Sequence, residues 1–326
     1  MIRFFRSPQP AALFIIPFIT MLLWSIGWVF MPVYNASGLS PVWNFIQPLF
    51  FVMPVAIRTL LMVLVVSTSA IYFNRLMNRH EVLYKNSYLP SLFYVLLSSA
   101  FPAFLSVHPI HFINLMLLLL LDSSFDFFKN DRVVKSIFNG GFLTGVICII
   151  YFPMFPLILF YFMVLVILRS FELREWLIAA VGIFVPFFFL AVWWFPQTLI
   201  GQVHWLNDYI LNYRLAVLMP LPAKANVLAL FIGLLVLVSI VKLRSHYYKN
   251  IVRTRAYQQS IILLLLFLIG IIFLSGNMMV ANFSTLVIPC AVVITYWFVA
   301  AKKRLWFYEL TLWAFIGLIV WNHLSS

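Results

Sequence analysis

The sequence predicts an all-α fold, a polytopic transmembrane helical bundle of about eleven spans that forms a single domain over residues 1–326. Three observations predict it. The chain is 65% hydrophobic and only 9% charged, whereas a soluble domain carries about 25% charged residues. Apolar runs of about 20 residues recur along its length, and they are continuous rather than alternating. Helices and closed barrels are the two structures that satisfy their backbone in lipid, and continuous runs favour helices. Finally, Lys and Arg cluster in alternate connections between the runs, the signature of a membrane protein with one cytoplasmic face.

Taken in order, the spans fall at about 11–31, 46–72, 88–106, 110–128, 136–152, 154–170, 174–195, 226–243, 257–275, 280–300 and 305–322. The first follows Arg3 and Arg6. It has the basic start of a signal peptide, but it is long enough to span and reads as an uncleaved helix. Residues 73–87, with Arg75, Arg79, His80, Glu81 and Lys85, read as a short interfacial helix. Spans 3 to 6 are short and pair off around Pro102, Pro109, Pro153 and Pro156. Proline ends helices and needs compensation in lipid. Either these helices stop below the outer surface and line a cavity, or the bilayer adapts locally to them. Residues 196–225 form the one long non-spanning segment, which reads as interfacial, with Trp205 and Tyr209 at headgroup level.

Charge sets the orientation. Of 21 Lys and Arg, all but Arg58, Arg214 and Lys224 fall at the N-terminus or in the connections after even-numbered spans. The positive-inside rule then predicts an inner-membrane protein with a cytoplasmic N-terminus and a periplasmic C-terminus. The same distribution argues against nucleic acid as a partner, despite a net charge of +13, because the basic residues do not line one face of a domain. Cys148 and Cys290 both lie inside apolar runs and supply neither a disulfide framework nor a metal site.

The candidate functional residues are few. His108 and His111 flank Pro109 at the outer mouth of spans 3 and 4. His204 and Asp208 share a helical face if 202–213 is helical, with Arg214 close by. That spacing suits two metal ligands but lacks a third, so no metal and no cofactor are expected. Asp208, His111 and His108 are the candidate catalytic groups, and Arg214, His204 and Arg58 the candidate ligand-binding groups. Arg58 lies within a span, where a cation must face protein, water or an anion. Asp208 is the one carboxylate predicted on the outer side. Asp122 and Asp126 lie one turn apart near the inner end of span 4 and read as local pairing and capping groups. Arg169, Glu172, Arg174 and Glu175 form a charged knot between spans 6 and 7, read as a structural ion-pair cluster. The Gly140-Gly141-Phe-Leu-Thr-Gly145 cluster permits close helix packing. No P-loop, HExxH, GxSxG or dinucleotide fingerprint occurs.

Around this glycine cluster a resemblance emerges. Asn139-Gly-Gly-Phe-Leu-Thr-Gly145, Tyr151-Phe-Pro153, Arg169-Ser-Phe171, Arg174-Glu-Trp176, Pro186, Phe101-Pro-Ala-Phe-Leu-Ser106 and Val287-Ile-Pro289 resemble the pattern of an uncharacterised family of Bacteroidota polytopic integral-membrane proteins. That family implies architecture without an assigned activity. More distantly, the short paired helices and the glycine-rich helix start resemble multispan glycosyltransferases that use polyprenyl-phosphate sugars (the GT-C-like architecture). Those enzymes carry an acidic residue in the first outer loop, and residues 32–45 have none. The resemblance implies a role in cell-envelope assembly, with a membrane lipid or polyprenyl-linked sugar bound at an outward cavity and other membrane proteins as partners. The alternatives are a non-catalytic subunit or scaffold of an envelope or secretion complex and, third, a transporter, for which no inverted repeat is visible.

Overall fold

A computed structural model of the chain describes residues 1–6, 11–25, 31–33, 41–83, 85–128, 133–199, 223–274, 280–301 and 305–324. Thirteen α-helices account for most of them: α1 (Ile2–Arg6), α2 (Ala11–Leu23), α3 (Pro41–Val52), α4 (Val55–Arg79), α5 (Leu89–Ser98), α6 (Pro109–Phe125), α7 (Val134–Ile150), α8 (Leu157–Leu168), α9 (Leu173–Leu199), α10 (Ala223–His246), α11 (Val252–Leu274), α12 (Val287–Val299) and α13 (Leu305–His323). Among the described residues there is no strand, only an isolated bridge between Val33 and Val107. Among the described residues six stretches are long and apolar enough to cross a membrane: α4, α9, α10, α11, α13, and α12 together with the 3₁₀ turn before it. Five shorter apolar helical stretches accompany them, formed by α2, α5, α6, α7 and α8 with its preceding turn.

Several boundaries differ from those predicted, and the reasons are local. The second span is two helices. Met53-Pro54 interrupts it, because proline lacks an N–H and clashes with the carbonyl four residues back. Beyond Pro54 no Gly or Pro occurs until Arg79, so α4 runs for 25 residues and absorbs much of the predicted interfacial helix. It stops at His80 and Glu81, where Glu81 takes φ 51°. The third span ends early, at Ser98, and Pro102 nucleates a separate 3₁₀ turn, Pro102–Phe104. The tenth opens with seven residues of 3₁₀ helix, Val280–Leu286. In the first, α2 stops at Leu23.

Two helices form the axis of the bundle. Every residue of α5 and every residue of α12 is buried, as expected of helices that are apolar all round. They meet at Phe93 and Phe298, whose ring centroids are 4.6 Å apart. Peripheral α9, α10 and α13 instead expose apolar side chains such as Phe184, Leu230 and Trp313, the pattern of lipid-facing helices.

The tightest pair is α7 with α9. A Cβ on Gly141 would stand 2.6 Å from the Ala179 carbonyl oxygen, one on Gly145 2.6 Å from that of Ile183, and one on Gly182 2.6 Å from that of Phe138. Successive glycines of α7 meet successive residues of α9, so the two helices run parallel, with α8 between them in sequence. Small residues let the backbones touch, as the glycine cluster predicts.

The ends of the bundle are distinct. At one end the N-terminal ammonium lies 3.3 Å from Glu309 at the start of α13, and Arg6 donates to the Val299 carbonyl. At the other end His323, the last residue of α13, bonds to the Ser99 carbonyl at 2.7 Å. Met1 and His323 therefore lie at opposite ends.

Candidate functional site

At the His323 end, three irregular stretches meet: 99–108, the turn at 151–154, and 280–286. Each contains a short 3₁₀ turn, and several carbonyls that these turns leave over accept from side chains. His111 Nε2 donates to the Phe104 carbonyl at 2.9 Å. Asn114 Nδ2 donates to Ser284 at 2.9 Å, and Asn322 Nδ2 to Ala100 at 3.3 Å. The Tyr151 hydroxyl donates to Asn282 Oδ1 at 3.1 Å. His108 caps α6, its Nδ1 accepting from the Ile110 amide at 3.2 Å. Trp24 packs its ring edge on His111, 5.5 Å between centroids, and donates to Ser99 Oγ. An unpaired backbone group is costly in an apolar bundle, and these bonds are the remedy.

The structure brings His108 and His111 together, but as buried fastenings, 1% and 3% exposed. No carboxylate forms an ion pair with either among the described residues. His204, Asp208 and Arg214 lie outside the described residues, as does most of the segment 196–225.

Arg58 is at this same end. It sits in the first turn of α4, not in the middle of a span, because Pro54 starts a new helix just before it. From Arg58 to Arg79 the helix rises about 32 Å at 1.5 Å per residue, close to the thickness of a bilayer core of about 30 Å. The next residue, Thr59, lies 3.7 Å from Met31 Sδ, and Pro32 accepts from the Val107 amide. That short path links the Arg58 turn to the histidine turn. The Arg58 Nε is buried and has no hydrogen-bond partner among the described residues.

A second cluster, at the Met1 end, is the best-formed polar assembly described. Asp122 of α6 accepts from the Tyr72 hydroxyl at 2.6 Å, from His80 Nε2 at 2.7 Å and from Arg79 Nη1 at 3.1 Å. The other arm of the Arg79 fork reaches Asp126 at 3.1 Å. Carboxylates four residues apart lie on one helix face, so a single planar guanidinium bridges both. A cavity of about 140 Å³ opens between Tyr72, Arg75, Leu76, Arg79 and Asp122. Beside it the α6 C-terminus gathers more donors, as the negative end of a helix does. Tyr257 donates to the Phe125 carbonyl at 2.8 Å while stacking on its ring at 4.3 Å, and Arg169 donates to the Phe127 carbonyl at 3.2 Å.

Sequence reading saw the two aspartates but missed their partners. Local capping is what the spacing of the aspartates predicts, whereas Tyr72 and Arg79 belong to α4 and His80 caps its end. The usable signal is two groups of opposite charge, Arg79 with His80 and Asp122 with Asp126, at the same end of two helices that run parallel, with α5 between them in sequence.

The charged knot is simpler than predicted. Arg169 pairs with Glu175, 2.8 Å apart and mostly buried. Glu172 and Arg174 are exposed and make no ion pair among the described residues. The turn explains the choice: α9 begins at Leu173, and its first turn swings Glu175 inward while Glu172 stays outside. No group of three metal-ligating side chains occurs among the described residues.

No family model, no curated protein and no solved structure matches the chain.

Proposed function

We propose that this chain is a multi-pass protein of the bacterial inner membrane that serves cell-envelope assembly by holding a phosphate-bearing lipid, of the polyprenyl-linked sugar class, at its periplasmic end. In this reading all eleven apolar stretches span, the Met1 end is cytoplasmic and the His323 end periplasmic. The observation that carries the reading is Arg58. A guanidinium whose buried Nε has no partner among the described residues, at the end of a helix as long as the bilayer core is thick, calls for an anion, and a lipid phosphate accepts its fork geometry. The test is to purify the full chain from native membrane and identify retained lipids by mass spectrometry. A polyprenyl-phosphate lipid is expected with the wild type and much less of it with Arg58→Gln. Equal retention by the variant sinks the reading.

A second reading, a non-catalytic subunit of an envelope complex, is favoured by the histidines. His108 and His111 are engaged in backbone fastening, which leaves no acid–base pair among the described residues of that end. A stoichiometric protein partner without a sugar lipid supports it.

A further inference from the structure

We propose that the groove between α7 and α9 binds one anionic phospholipid of the leaflet at the Met1 end, with Lys135 and Arg174 on its phosphate and the apolar walls along an acyl chain.

The groove has a volume of about 830 Å³, and its lining includes Val134, Phe138, Leu177 and Val181, with the two cations. Both cations belong to the first turns of their helices, Lys135 in α7 and Arg174 in α9. Because the helices run parallel, the two cations stand at one level, at the polar mouth of an apolar trough. Neither has an ion-pair partner among the described residues. The carboxylate next to Arg174, Glu175, is turned away and committed to Arg169 at 2.8 Å, Glu172 is exposed and pairs with neither cation, and Asp131, four residues before Lys135, lies outside the described residues. The walls are open to lipid: Leu177 is 58% and Val181 54% exposed. The backbone contact at Gly141 and Gly182 fixes the spacing of the walls, so the trough is preformed rather than induced.

The occupant follows from charge and depth. α9 is long and apolar enough to span, so its first turn lies where phospholipid headgroups lie. Two cations without an ion-pair partner among the described residues attract an anionic headgroup there. A ligand complementary to both parts carries a phosphate at one end and hydrocarbon at the other. A partner helix would have to bring a buried carboxylate. This site is at the opposite end from Arg58 and does not depend on the reading of that residue.

The full chain, purified in detergent, is titrated with dioleoylphosphatidylglycerol and, separately, dioleoylphosphatidylcholine, with native mass spectrometry reading bound lipid. The expected result is preference for the anionic lipid, lost about tenfold in Lys135→Ala/Arg174→Ala, from two missing cation–phosphate contacts. Arg174→Lys should keep most of the binding. Val181→Trp keeps both charges but fills the trough, so it should also lose the lipid, and it serves as the test if the double variant fails to fold. Lys85→Ala/Lys249→Ala, which removes two cations elsewhere, should bind as the wild type does. Wild-type affinity in both the double variant and Val181→Trp overturns the proposal. Displacement of the lipid by inorganic phosphate also overturns it, since the acyl chain would then contribute nothing. So does a protein chain retained in place of lipid.

Discussion

Arg169 reaches across the turn between α8 and α9 to Glu175, Nη2 to Oε1 at 2.8 Å, with both side chains mostly buried. A pair so placed is destabilised far more by losing one partner than by losing both, because the survivor is left as an uncompensated buried charge. Arg169→Ala and Glu175→Ala should each lower stability by about 2–4 kcal/mol, and the double variant by clearly less than their sum. Glu172→Ala should change little. Unfolding in detergent measures all four, and additivity of the first two would show that the pair is uncoupled.

The aspartates of α6 should be unequal. Asp122 accepts from Tyr72 and Arg79 of α4 and from His80 just past its end, whereas Asp126 accepts hydrogen bonds, among the described residues, from Arg79 only, and Asp126 is the more exposed. Asp122→Asn should cost about 2–3 kcal/mol, because it strands His80 and Tyr72 among apolar neighbours. Asp126→Asn should cost under about 1 kcal/mol, as an exposed pair does. Thermal melts of the two variants decide it, and equal losses would mean that the Arg79 contact alone matters.

Glycine substitutions should sort by what a Cβ meets. Gly141→Ala and Gly182→Ala press into carbonyl oxygens at 2.6 Å, where backbone rather than a flexible side chain must yield. Each should cost about 1–3 kcal/mol, in the range of overpacking. Gly233→Ala and Gly270→Ala meet open space and should be neutral or slightly stabilising, since alanine is the better helix former. The folded fraction on size-exclusion chromatography gives the ranking.

Met1 and His323 lie at opposite ends of the bundle. Reporters fused to the two termini should therefore report opposite sides of the membrane. With the proposed orientation, a C-terminal alkaline phosphatase is active and a C-terminal fluorescent protein dark. Both termini on one side would refute the helix order, and a cytoplasmic C-terminus would refute the orientation.

Much of the molecule was legible in the sequence because its signals are local. The helical class follows from unbroken apolar runs. The turns at Pro109 and Pro153 follow from proline chemistry, and the glycine cluster announces close helix packing, which Gly141 and Gly145 make with α9. Each of these depends on a few adjacent residues and on the solvent, and lipid narrows the options to helix or barrel. Tertiary structure decided the rest. It placed Arg58 at the end of a helix instead of in the middle of one, because a single proline outweighed an otherwise continuous apolar run. It drew Asp122 to Tyr72, Arg79 and His80, residues 42 to 50 positions away in sequence. It gave Glu175, not Glu172, to Arg169, and so left Arg174 open at a groove. Local pattern sets which residues are charged and roughly how deep they lie. Which of them meet depends on how helices neighbour and rotate against one another, and that is settled by the packing of side chains distant in the chain.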